Sequence, residues 1–287
     1  LPYHEKGLKA QSIMNAPVLL YSYTSIITRE DIINGLCSYT PKLIYVASAQ
    51  LDQPSSLDLN KGPEVSSLNK LIQCNVLLFD RVSPKSESHS AFEKRAISWF
   101  FENESEGIIL ETSSSASYDF FDYCNQLLCR YREIDLVWSI SGDTCDDTCD
   151  DNKFSYTFIN YPSLTNGWAT WRRKWHSLIN SSVQDLSKLG QVTKVLNSKY
   201  HNPIERAFWF NELREVASKD YEDSWKRQLT LFSSLNSLLS ILPLRSTLDQ
   251  KNFNSSDERF LSSNKSHWSQ QNGTLVLRHP TSICLDQ

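Results

Sequence analysis

The chain of 287 residues has no excess of positive charge. Its 29 Lys and Arg are outnumbered by 33 Asp and Glu, giving a formal net charge of −4 and a pI near 5.9. A general binder of the phosphate backbone needs a basic face, so nucleic acid is not an expected partner. The sequence also lacks an apolar run long enough to cross a membrane, and Leu1 to Gln11 carries no signal-peptide pattern. A soluble, cytoplasmic or otherwise reducing setting is the expectation. No internal repeat and no break in composition calls for two domains.

Seven cysteines are an odd number and form no evident framework. Cys37, Cys74, Cys124 and Cys129 fall in apolar helix or strand patterns and read as small core residues. Cys145 and Cys149 lie in an acidic loop, Asp143 to Asp151. Two thiols there lack the further ligands a metal would need, so no metal centre is expected from them.

What the chain does have is an alternation of apolar runs and helical patterns, with enough hydrophobic content (40%) for a substantial core. Pro17–Tyr23, Lys42–Ser48, Asn75–Phe79, Gly107–Glu111 and Leu136–Ile140 are apolar, strand-like runs. Between them, Thr28–Cys37, Val65–Leu71, Ser90–Glu102 and a segment through Phe120, Phe121, Cys124, Leu127 and Leu128 have helical spacing. Strands apolar throughout and alternating with helices indicate a parallel sheet covered on both faces. Such sheets bind ligands at the carboxyl ends of their strands, which makes the residues just after Tyr23, Ala47, Phe79 and Leu110 informative. Further on, Phe154–Phe158 alternates like a strand. Val183–Ser218 and Tyr221–Leu235 read as helices, with Phe208, Trp209, Leu213 and Val216 on an inner face. Leu238–Leu242 is a short strand, Asn252–Gln271 is polar, and Gly273–His279 closes the chain with a strand-like piece.

The densest feature is Gly167-Trp-Ala-Thr-Trp-Arg-Arg-Lys-Trp175. On a helix, Trp168, Trp171 and Trp175 share one face at i, i+3 and i+7, with Arg172 on the same side. Aromatic faces beside guanidinium groups suit sugars and phosphates. The same spacing suits a packed amphipathic helix, because aromatic stripes are usually core.

Taken in order, Trp99–Glu102, Glu106–Glu111, Phe120-Phe121 with Cys124–Leu128, Ser139–Gly142 and Gly167–Trp175 resemble a group of bacterial-type glycosyltransferases. These are family-2-like nucleotide-sugar transferases of the GT-A fold, and the resemblance runs from Pro17 to about Pro280. It implies an α/β architecture with a Rossmann-like, mostly parallel sheet flanked by helices, and a helical C-terminal part. The expected division is an N-terminal extension over 1–16, a GT-A domain over 17–250, and a polar segment with a closing strand over 251–287. It also places the tryptophan stretch beside the acceptor side of the cleft.

The resemblance implies site residues from which this sequence departs. The family's fourth strand ends in acids that hold a divalent metal against the nucleotide diphosphate, since hard cations want carboxylate oxygens. Here that run is Glu111-Thr112-Ser113. The family's Asp-Gly after the second strand is Ala49-Gln50, and its Asn-x-Gly turn matches Ser86-Glu87-Ser88. The family's candidate general base, an aspartate, matches Lys226 within Ser224–Gln228.

The expectation is a glycosyltransferase-like domain that is catalytically impaired, with a binding or structural role. The enzymatic alternative is a metal-independent transferase. There Arg172, Arg173, Lys226 and Arg227 would neutralise the diphosphate, and Glu111 or Asp80 would act as base. A third alternative is a pure interaction or assembly subunit. Candidate catalytic residues are therefore Glu111 and Lys226, and candidate substrate-binding residues are Trp168, Trp171, Arg172, Arg227 and Asp80. Glu111 doubles as a ligand only if a metal binds. A nucleotide-sugar donor and Mn or Mg are expected only if the chain is active; otherwise no cofactor is expected. Partners are a nucleotide-sugar, a glycan or a partner protein. Glu111 also suits a helix-capping acid, and the two cationic pairs also suit solvated helix faces.

Overall fold

The computed structural model describes residues 15–23, 30–49, 76–78, 87–144, 153–162, 164, 166–180, 189–218, 225–249, 270–271 and 274–283. The expected helix over Val65–Leu71, the polar stretch Asn252–Ser269, and Gln50, Cys74, Asp80, Ser86, Cys145 and Cys149 lie outside the described residues.

The core is an eight-stranded sheet in the order β3-β2-β1-β4-β8-β6-β9-β7. Strands β1 (Val18–Ser22), β2 (Ile44–Ser48), β3 (Val76–Leu78) and β4 (Glu106–Glu111) are mutually parallel. β6 (Val137–Ser141) and β9 (Leu239–Pro243) pair in parallel. β8 (Gly167–Trp171) runs antiparallel between β4 and β6, and β7 (Tyr156–Ile159) antiparallel on the outer side of β9. This is the mostly parallel α/β sheet that the apolar runs imply. Two short antiparallel pairs complete it: β5 (Ser115–Ala116) with β10 (Leu248–Asp249), and β11 (Gln270–Gln271) with β12 (Thr274–Leu275).

Helices cover both faces, which is why β1, β2 and β6 are buried along their whole length. On one face, α1 (Glu30–Tyr39) and α3 (Tyr118–Tyr131) pack Leu36, Phe121 and Leu127 against Val18, Leu20 and Ile108. On the other, α2 (His89–Asn103), α4 (Arg172–Ile179) and α7 (Trp225–Leu235) pack Phe100, Trp175 and Leu229 against Leu19, Tyr21 and Ile109. A separate cluster joins α5 (Leu189–Lys199) and α6 (Pro203–Ser218) to α7 through Leu196, Trp209, Leu213 and Leu231. Packing is tight where α2 crosses β4. A Cβ built on Gly107 would stand 2.2 Å from the Phe100 ring and 2.9 Å from the Pro17 carbonyl oxygen, so only glycine lets this helix and strand approach.

The tryptophan stretch is not one helix. Gly167–Trp171 is a central strand, and the helix begins only at Arg172. Trp168 and Trp171 are three residues apart, so on a strand they point to opposite faces. Trp168 joins the α2–α4–α7 face, where its ring stacks on Trp138 with centroids 6.0 Å apart. Trp171 joins the α1–α3 face, where its indole N–H donates to the Leu128 carbonyl at 3.3 Å. A buried slot between two strands overrides the helical spacing, and Thr170 anchors it by donating to the Trp138 carbonyl at 2.6 Å.

Two smaller expectations change as well. Cys37 is exposed, whereas Cys124 is buried as expected. Phe208 faces outward while Trp209, Leu213 and Val216 face in, because residue 208 is one residue, about 100° of helix, away from the buried stripe.

Candidate functional site

The chain fills β1, β2 and β3 outward in one direction, then returns to place β4 on the other side of β1. The strand order reverses between β1 and β4, and in open α/β sheets ligands bind in the crevice at the carboxyl ends of such a pair. Tyr21 of β1 and Glu111 of β4 are register partners at this edge, so their side chains project to the same face, the one covered by α2 and α7.

Four charged or ionisable groups meet there. The Tyr21 hydroxyl donates to Glu93 Oε1 at 2.6 Å. The other carboxylate oxygen, Oε2, takes an ion pair from Lys226 Nζ at 2.8 Å. Glu93 sits in the first turns of α2 and is only 2% exposed. The Lys226 side chain, at the start of α7, is 49% exposed, and its ammonium lies 5.4 Å from the centroid of the Trp225 ring. Burial pushes the Tyr21 phenol well above its ordinary range, and the negative charges of Glu93 and Glu111 push it further. Tyr21 is therefore a fixed hydrogen-bond donor.

Glu111 is partly buried and held through its backbone. Its N–H donates to the Asn166 carbonyl at 2.7 Å, and its own carbonyl accepts from Ser114 N at 3.1 Å. Thr112 N in turn bonds the Tyr21 carbonyl at 3.0 Å. The Ser114 hydroxyl in this turn is buried with no partner among the described residues. Beside them, the Tyr23 ring packs on His89 at 5.1 Å, and its hydroxyl donates to the Glu87 carbonyl at 2.6 Å. Glu87 and Ser88, matched by the resemblance to the family's Asn-x-Gly turn, serve α2: Ser88 Oγ accepts from Ala91 N at 3.1 Å as an N-cap, and Glu87 pairs with Arg95 at 2.6 Å.

Among the described residues, the acids that would hold a divalent ion do not assemble. At the end of β4 the donors are one carboxylate, Glu111, and the hydroxyls after it. Among the described residues no group of three or more His, Cys, Asp or Glu side chains is placed to hold a metal. A hard cation at this edge would want several carboxylate oxygens, so the described residues do not fit the ion that the resemblance implies.

The cations expected to replace that ion are dispersed. Arg172 follows Trp171, which is opposite Glu106 at the amino end of β4. There its Nε donates to the Glu104 carbonyl at 2.9 Å. With five residue steps along β4 separating this end from Glu111, Arg172 and Arg173 begin roughly 16 Å from the crevice. Arg227 is on α7 next to Lys226 but turns to Glu212 of α6, at 2.8 Å. Of the four cations, only Lys226 reaches the switch point. Trp168 and Trp171 are 1% and 2% exposed and are enclosed in the core.

Sequence reasoning missed Tyr21 and Glu93. Tyr21 is hidden inside an apolar strand. Glu93 carried a usable signal: with Ala96, Ile97 and Phe100 it falls at i, i+3, i+4 and i+7, which puts a carboxylate on the buried stripe of α2.

No family model matches the sequence, and no curated protein matches it. Among solved structures the chain is similar to a crystal structure of apo-UDP-glucose pyrophosphorylase, at 8% identity and a TM-score of 0.40, covering 79% of this chain and 90% of that one. A likeness of that size has no bearing on activity.

Proposed function

We propose that this chain is a glycosyltransferase-like domain of the GT-A type, related to nucleotide-sugar transferases, that is catalytically impaired and serves a binding or structural role. The observation that carries the reading is the Lys226–Glu93–Tyr21 network. A lysine acting as general base must offer a free lone pair. Lys226 instead supplies the counter-charge that a carboxylate buried in the fold requires. With Glu111 as the carboxylate ending β4 among the described residues, support for both charge stabilisation and proton transfer is weak.

The metal-independent transferase has less support, because Arg172 and Arg173 lie at the opposite edge and Arg227 is paired with Glu212. The interaction-subunit reading has one specific observation in its favour. The outer surface of α6 carries an exposed apolar pair one turn apart, Ile204 at 82% and Phe208 at 45% exposure, among polar residues, and such a pair suits a contact with a partner.

The test is turnover. With a panel of nucleotide-sugars and glycan acceptors, with and without manganese, release of the nucleotide is expected to stay at the uncatalysed rate. Turnover that Glu111→Gln abolishes would establish the active alternative and displace the impaired one.

A further inference from the structure

Arg173, which the sequence suggests as a ligand of a diphosphate, builds something else with Lys174 at the far edge of the sheet. They line a cavity of about 220 Å³ together with Asp135, Trp138, Phe232 and Leu238. The cavity opens at the amino ends of β6 and β9, between α4 and α7, and is independent of the switch-point crevice.

Its chemistry is biased toward hydrogen-bond donors. Lys174 is 6% exposed, and its ammonium donates to the Ile134 carbonyl at 3.3 Å, to the Asp135 carbonyl and to Asp135 Oδ1 at 3.4 Å. The Arg173 guanidinium donates to Asp135 Oδ1 and to the Arg132 carbonyl. Trp138 is fully buried, and its indole N–H has no hydrogen-bond partner among the described residues. The Trp138 indole forms part of the cavity wall, so its N–H signal reports on what enters. The one carboxylate in the set, Asp135, has an 87% exposed side chain and sits at the rim. Two cations against one acid leave a net charge of +1 over walls made apolar by Phe232 and Leu238.

We infer that this cavity is a binding site for a small oxyanion, the phosphate or carboxylate group of a small organic molecule. The anion would share the Arg173 guanidinium with Asp135, lie beside the Lys174 ammonium, and rest its organic part on Phe232 and Leu238. A guanidinium is suited to both anions because its fork matches their paired oxygens.

The full chain labelled with ¹⁵N-tryptophan gives eight indole N–H signals, one per tryptophan, and Trp138→Phe identifies the relevant one. Inorganic phosphate and acetate are titrated separately, each against chloride at matched ionic strength. The Trp138 signal is expected to shift saturably with at least one of them; the stronger arm identifies the anion class. Arg173→Gln, at a position whose side chain is 43% exposed, should weaken binding roughly tenfold, as befits the loss of one charge-assisted hydrogen bond. Asp135→Asn should tighten it severalfold by removing the competing carboxylate. No saturable shift with either anion would overturn the inference. So would a shift that both variants leave unchanged.

Discussion

Replacing Trp168 or Trp171 by alanine is expected to cost about 3–5 kcal/mol of stability in each case, the range for removing a large aromatic from a packed core. Both side chains are enclosed, one on each face of the central strand β8. Each loss would remove about a fifth or more of the stability of a typical domain, which is about 5–15 kcal/mol. Denaturant unfolding of the two variants measures it, through a lower midpoint at unchanged slope. Because the two rings lie on opposite sides of the sheet and share no cluster, their losses should add to within about 0.5 kcal/mol. A sugar-stacking platform predicts something different: solvent-facing rings, alanine variants of near-normal stability, and an effect confined to ligand binding. Losses below about 1 kcal/mol would reject the packing role and return these residues to a ligand surface.

The second large effect is expected at the switch point. Lys226→Met should cost about 1–3 kcal/mol, because it leaves the Glu93 carboxylate buried with the Tyr21 hydroxyl as its remaining partner in the network. This is less than the loss for a fully enclosed pair, since the lysine side chain is half-exposed and water screens it. Glu93→Gln combined with Lys226→Met should recover much of the loss. The charge that needed a partner is then gone, while an amide oxygen still accepts from Tyr21. Chemical denaturation of the two single variants and the double variant closes the cycle, with an expected coupling of about 1 kcal/mol or more. A coupling near zero would mean that Lys226 is not the counter-ion of Glu93, and a lysine base would again be open.

The parallel half of the sheet was readable from the sequence for a physical reason. β1, β2, β4 and β6 are covered on both faces, so each reads as an unbroken apolar run between polar loops. β8 was not readable. Five residues are too few to separate a strand period from a helix period, and the Trp-x-x-Trp spacing favours a helix if nothing else is known. What makes it a strand is the slot between β4 and β6, and those neighbours come from elsewhere in the chain.

The site was legible only in part. Glu111 and Lys226 do lie at the edge where the strand order reverses, but their meaning depends on Glu93 and Tyr21, which sit 18 and 90 positions from Glu111. Arg172 and Arg173 illustrate the converse. Their types suit a diphosphate, yet the antiparallel course of β8 carries them to the other end of the sheet. Strand direction, which composition does not encode, decides which cations can act together.

The central claim is that the scaffold persists while the donor site has been rebuilt around an internal ion pair. Calorimetric titration of the purified chain with a UDP-sugar, with and without manganese, tests it most directly. The account predicts weak binding or heats of dilution alone under both conditions. Saturable, manganese-dependent binding in the micromolar range would contradict it, because Glu111, the carboxylate that ends β4 among the described residues, does not suffice for a divalent ion.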